Sequence, residues 1–189
     1  MKNKIIMSLP DQIFKPERYT YQDYLLWKGD WELVNGYPYA MAPSPIKDHQ
    51  WFGKTFIRKI ENKIEESLIK CNCEAFYELD WIVDEDSVVR PDCVILCNTS
   101  ILENYIINPP VLIVEISSRS TKLRDRNTKY NLYEMKGVKY YVIADTENKT
   151  VEAFELLEDE KYIQKTDTHF QLTPDCSIDF NVYNIWESM

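Results

Sequence analysis

The sequence predicts an α/β or α+β fold: a mixed sheet with helices packed against it. Three observations carry that expectation. Residues 111–144 read as a strand, a helix and a second strand. Apolar residues recur at helical spacing from Ile46 through Phe52, Phe56 and Ile60 to Leu68. Short runs bounded by turn residues surround these segments and read as further strands.

Residues 1–18 form an irregular lead-in, and 19–189 are expected to be one domain. Thr20 can cap a short helix reaching Trp27, with Asp23 at the third position of a capping-box pattern. Gly29 and Asp30 end it. Residues 31–34 and 37–41 are strands, and Asn35-Gly36 between them signals a tight hairpin. A turn over 42–45 leads to a long helix over 46–69. Residues 74–83 alternate as one strand, turned by 84–86. Val88 and Val89 lead to Pro91.

Residues 93–97 and 111–116 are continuous apolar strands, as in a sheet covered on both faces. The link between them is polar and ends in Asn108-Pro109-Pro110. A second helix runs over 121–136, with Gly137 as its C-cap. Residues 138–144 are a strand, 151–157 and 162–164 an antiparallel pair, and a short helix lies near Ile185 and Trp186.

The chain has 189 residues, of which 44% are hydrophobic, which is enough for one core. No apolar run approaches the roughly 18 residues of a membrane span. The start, MKNKIIMSLP, is basic but too briefly apolar for a signal peptide, so the cytoplasm is the expected compartment. The five cysteines lack zinc-site spacing and are expected to be buried reduced thiols. Two histidines are too few for a histidine-rich metal centre.

The net charge of −9 argues against non-specific coating of nucleic acid. It is unevenly placed. Residues 145–189 hold 11 acidic and 3 basic side chains, whereas 119–139 hold 7 basic and 2 acidic. The basic stretch could face a phosphate backbone or form a solvated helix face.

Asp92 in RPDCVIL and Glu115 in VLIVEIS adjoin apolar runs, where a buried carboxylate is costly unless paired or metal-bound. If their strands are neighbours, both approach one point and suit a hard divalent cation. Lys129, on the following helix, would orient water or steady a phosphate, and Asp125 could pair with it at i,i+4. Glu32 would be a third ligand or a proton acceptor. His49, near the start of the long helix, would touch a phosphate or support Glu32. Each has a purely structural alternative: Glu115 as an ion pair to the basic helix, Asp92 as a turn cap, Glu32 on a solvated hairpin, Lys129 exposed, His49 satisfied locally.

The order WELVNGYPYAMAPSP, His49-Gln50, VVRPDCVIL, PPVLIVEIS and STKLRDRNTKYNLYEMKGVKYYVIAD resembles a restriction endonuclease family. That family, common in cyanobacteria and once filed as a domain of unknown function, belongs to the PD-(D/E)XK nuclease superfamily. The resemblance spans about Tyr19 to Leu157. It implies a restriction-endonuclease-like mixed sheet flanked by helices. It also implies an Mg2+-dependent endonuclease (Mn2+ as an alternative ion) that cuts DNA to leave a 5′-phosphate, in many relatives as a dimer.

Pro91-Asp92 matches the family's Pro-Asp, Glu115 its second acid, Glu32 its early glutamate and His49 its helix-start histidine. The superfamily's lysine falls at Ser117, so the resemblance assigns that role to Lys129. Relatives often have proline where this chain has Arg119. The expected metal ligands are Asp92, Glu115 and Glu32. The expected catalytic set adds His49 and Lys129. Two other readings use the same residues: a non-catalytic binding or assembly protein on this fold, and a hydrolase of small phosphoesters.

Overall fold

The computed structural model describes residues 17–41, 46–67, 71–98 and 105–189. The lead-in over 1–16 and the turn over 42–45 lie outside them. Helix α1 (Tyr21–Tyr24) starts at the predicted capping box: Thr20 accepts from Asp23 N, and the Asp23 carboxylate accepts from Thr20 N. Strands β1 (Trp31–Val34) and β2 (Tyr37–Ala40) form the predicted hairpin. Asn35 and Gly36 both have positive φ, 51° and 79°, as a two-residue hairpin turn requires.

Helix α2 (Lys47–Glu65) buries Phe52, Phe56 and Ile60. The single strand expected over 74–83 is instead two, β3 (Cys73–Tyr77) and β4 (Asp80–Asp84). The chain breaks at Glu78, whose φ is 44°, and the two halves enter different sheets. Alternation marks both halves alike, so sequence pattern alone cannot see the break.

Strands β5 (Ser87–Val89), β6 (Cys93–Cys97), β7 (Tyr105–Ile106) and β8 (Leu112–Ser117) follow. The helix after β8 opens with a π-helical segment (Arg124–Lys129) and continues as α3 (Tyr130–Met135). Gly137, at φ 77°, ends it as predicted. Strands β9 (Tyr140–Asp145), β10 (Thr150–Leu156) and β11 (Tyr162–Lys165) come next. No element is predicted over 169–179, yet the structure holds a hairpin there, β12 (His169–Thr173) with β13 (Cys176–Asp179). A short 3-10 helix (Trp186–Ser188) closes the chain.

Among the described residues the central sheet has six strands in the order β11-β10-β9-β8-β6-β3. Only β8 and β9 are parallel within it, joined by the π-helical segment and α3. Alternate residues of β8 therefore serve two cores. Leu112, Val114 and Ile116 pack with Phe52, Phe56 and Trp186. Ile113 packs with Leu132, Tyr133 and Tyr141 and with Val34 and Trp81 of the second sheet, β2-β1-β5-β4-β7. The second sheet brings Glu32 of β1 to the face of the central sheet that carries Glu115.

Four cysteines correct the expectation of reduced thiols. The structure joins Cys71 to Cys176 and Cys73 to Cys97 as disulfides. Cys73 and Cys97 face each other across β3 and β6, with Cα atoms 4.0 Å apart. Cys71 meets Cys176 only because β12-β13 folds back near the end of α2, a contact over 105 residues. Cys93 alone remains free, and it is buried as expected. Among the described residues no helix is long and apolar enough to cross a membrane.

Candidate active site

The expected adjacency of the two acid-bearing strands is observed. Cys93 of β6 pairs with Val114 of β8, antiparallel. That register sets Asp92 at the carboxyl end of β8, where its Oδ2 accepts the Ile116 N–H at 2.6 Å. His49, in the first turn of α2, places Nε2 3.1 Å from Asp92 Oδ1. His49 thus touches Asp92 rather than Glu32, the second of the two contacts expected for it. Burial disfavours the imidazolium, and the Asp92 carboxylate more than reverses this, so the His49 pKa is raised.

Glu115 is 3% exposed. Its Oε1 accepts from Lys129 Nζ at 2.8 Å and from Tyr133 OH at 2.6 Å. Lys129 also lies 2.7 Å from Glu32 Oε1, which accepts the Arg90 N–H at 3.0 Å. One buried ammonium therefore bridges carboxylates from two sheets. Burial works against the lysine's charge, but Glu115 and Glu32 outweigh it and raise its pKa. Burial pushes the Glu115 carboxyl up and Lys129 pulls it back. A lysine this enclosed stays charged only beside an ionised carboxylate, so Lys129 and Glu115 are held as ammonium and carboxylate.

Asp125 and Lys129, four residues apart in the π-helical segment, are both buried and turn inward. An inserted residue widens the turn, a device frequent at functional sites. The expected Asp125–Lys129 pair is not the arrangement found. Lys129 goes to Glu32 and Glu115, while Asp125 Oδ2 accepts from Ser117 Oγ at 2.6 Å. Burial raises the Asp125 pKa against the pull of Lys129 and Ser117.

All five sequence-predicted residues, Glu32, His49, Asp92, Glu115 and Lys129, line one cavity of about 520 Å³. Asp125 and Arg90 line it too and were not singled out as site residues. Tyr133 was also missed. Asp125 and Tyr133 each lie four residues from Lys129, a spacing that hints at a shared helix face.

The three-acid ligand set does not form as such. Among the described residues, no group of three or more His, Cys, Asp or Glu side chains is arranged to hold a metal ion. Glu32 Oε1 is taken up by Lys129 and Arg90. Its Oε2 is buried without a hydrogen bond, 3.5 Å from Arg124. Asp92 and Glu115 remain as an oxygen-donor pair on the cavity wall. That chemistry suits Mg2+, which takes one or two carboxylates and completes its shell with water and phosphate.

The basic stretch is largely neutralised inside the fold. Of its seven cations, Lys122 pairs with Asp145, Arg124 with Glu32, Arg126 with Glu152, Lys136 with Asp84, and Lys129 as above. It is not the free basic face that composition suggests.

A family model described as "Uma2: Putative restriction endonuclease" matches residues 21–180. The chain belongs to this family. The match runs from α1 to the end of β13 and so takes in the whole Uma2 cavity. A crystal structure of a "putative nuclease belonging to DUF820 from Anabaena variabilis ATCC 29413" is similar, with a TM-score of 0.63 and 15% identity. The likeness covers 82% of this chain and 89% of that one. At that identity the likeness is one of fold, and the expected restriction-endonuclease-like α+β architecture is the one observed. No curated protein matches the chain in sequence.

Proposed function

We propose that this Uma2 chain is an Mg2+-dependent endonuclease that hydrolyses DNA phosphodiester bonds. The observation that carries the reading is Lys129, buried and charged between Glu32 and Glu115, in the cavity that Asp92 also lines. Asp92 and Glu115 would hold the cation. The hydrogen bonds to Glu115 converge on Oε1, which leaves Oε2 for it. Bound there, Mg2+ would polarise a phosphoryl oxygen and make a water more acidic.

Lys129 cannot be the base, since its carboxylates keep it protonated. Its ammonium has three donors, and two are spent on Glu32 and Glu115. The third can orient the attacking water or meet charge developing on the phosphate. Glu32 fixes the lysine. His49 fixes Asp92 and can donate towards substrate when protonated. Two copies, one per strand, would cut a duplex. The cytoplasm is the compartment proposed, and its thiol pool would work against the two disulfides.

The internal pairing of the basic stretch favours one further reading, a hydrolase of small phosphoesters. A cavity of about 520 Å³ is of a size to hold a nucleotide.

The test is Mg2+-dependent cleavage of single- and double-stranded DNA by the wild type and by Glu115→Gln, with mononucleotide esters alongside. Cleavage of DNA by the wild type, lost in the variant together with Mg2+ binding by calorimetry, is expected. Undiminished cleavage by Glu115→Gln would remove the assigned site. Turnover of the esters alone would favour the second reading.

A further inference from the structure

We infer that Arg119 is the residue that grips a substrate phosphate at the mouth of this cavity. The inference rests on the nuclease reading for its substrate. It starts from the charges on the cavity wall. Four cations line it: Arg90, Arg119, Arg124 and Lys129. Arg90 is held by Asp80 and Asp30, Arg124 by Glu32, and Lys129 by Glu32 and Glu115. Arg119 is exposed and, among the described residues, makes no ion pair. A polyanion entering a wall rich in carboxylates needs an unspent cation, and Arg119 supplies it.

Its backbone is already placed. Thr146 holds the Ser117 carbonyl through its N–H at 3.1 Å and its hydroxyl at 2.9 Å. The Ser118 N–H donates to Thr121 Oγ1 at 3.0 Å, and the Ser118 carbonyl accepts from the Lys122 N–H at 3.0 Å. Lys122 is in turn anchored 2.6 Å from Asp145. Both flanks of the loop are therefore tied to the sheet, and only the arginine side chain has to be ordered on binding. Ser118 and Ser120 stand beside it on the same wall, hydrogen-bonded to each other at 3.0 Å. The planar guanidinium can take two phosphate oxygens at once.

The experiment compares the wild type with Arg119→Gln and Arg119→Lys. It measures affinity for a short DNA duplex across salt concentrations, binding of a mononucleotide, and kcat and KM for cleavage. Arg119→Gln is expected to weaken duplex binding about tenfold or more and to flatten the log–log salt slope by about one. KM should rise while kcat holds. Arg119→Lys should keep the slope and recover only part of the affinity.

Equal affinity and slope in the wild type and Arg119→Gln would overturn the inference. Cleavage with unchanged KM would do so while leaving the nuclease reading in place. Weakened, less salt-dependent DNA binding without cleavage by any protein would support the contact and remove the nuclease reading. Mononucleotide binding lost in Arg119→Gln, with no affinity for the duplex, would overturn the assignment to DNA.

Discussion

Lys129 is the residue on which the site's electrostatics turn. Removing it leaves Glu32 and Glu115, both almost wholly buried, without the cation between them, and only Glu32 keeps a neighbour in Arg124. Breaking a buried ion pair from one side costs about 3–5 kcal/mol. Lys129→Met should therefore lower stability by that amount in urea denaturation and abolish cleavage. Adding Glu32→Gln to Lys129→Met should restore part of the stability but none of the activity. If Lys129→Met alone were as stable as wild type, the two carboxylates would have to be neutral in the fold, and the bridging role would be lost. The identity of this lysine was legible in the sequence because it lies at a helical position in a recognisable order of motifs. Its partners were not. Asp125 is the near neighbour that spacing suggests, but β1 of the second sheet and β8 of the central one bring Glu32 and Glu115 to Lys129 instead.

At the scale of elements, two glycines behave differently. Gly137 has a φ of 77°, and a Cβ there would meet nothing within 4 Å. Gly137→Ala should cost roughly 1–2 kcal/mol through backbone strain alone. Gly53 sits inside α2, where alanine normally helps. A Cβ there would lie 2.9 Å from Tyr77 Cε1 and 3.2 Å from Ile116 Cδ1. Gly53→Ala should therefore destabilise by about 1–3 kcal/mol. It should also impair cleavage, because α2 carries His49 and Ile116 N–H holds Asp92. Thermal melts of both variants beside cleavage rates separate the effects: only Gly53→Ala should reduce activity beyond its loss of folded protein. Local signals such as Gly137, Asn35-Gly36 and the Thr20 box were readable because their cause lies within four residues. The split between β3 and β4 was not, since each half keeps the same alternation and only the choice of sheet differs.

For the whole molecule, the disulfides and one buried acid set the testable limits. Denatured without reductant, the protein should offer a single thiol, Cys93, to an alkylating agent, counted by mass. Five labelled cysteines would remove both crosslinks. Replacing Cys71 and Cys176 by serine releases a closed loop of 105 residues and should cost about 2–5 kcal/mol. Asp145 caps the turn after β9. Burial opposes its ionisation, but hydrogen bonds from Lys122, Asn148 and Glu147 more than offset this and lower its pKa to about 2. A depressed folded value means stability that is complete above the ordinary 3.8 and fades as the pH falls towards about 2. Urea midpoints followed down through that window should drop more steeply for wild type than for Asp145→Asn. Equal slopes would mean that Asp145 is not held ionised.

By itself the sequence determined the α+β class, the order of most elements, the chain's kinship and the five residues that line one cavity. Those rest on periodicity, turn chemistry and motif order, which are written locally along the chain. Only the tertiary structure decided that Lys129 bridges acids from two sheets, that most of the 119–139 cations are neutralised at home, and that Cys71 lies beside Cys176. Each of these is a contact between segments far apart in sequence. Which segments meet is set by the packing of two sheets and their helices, and no local pattern encodes it.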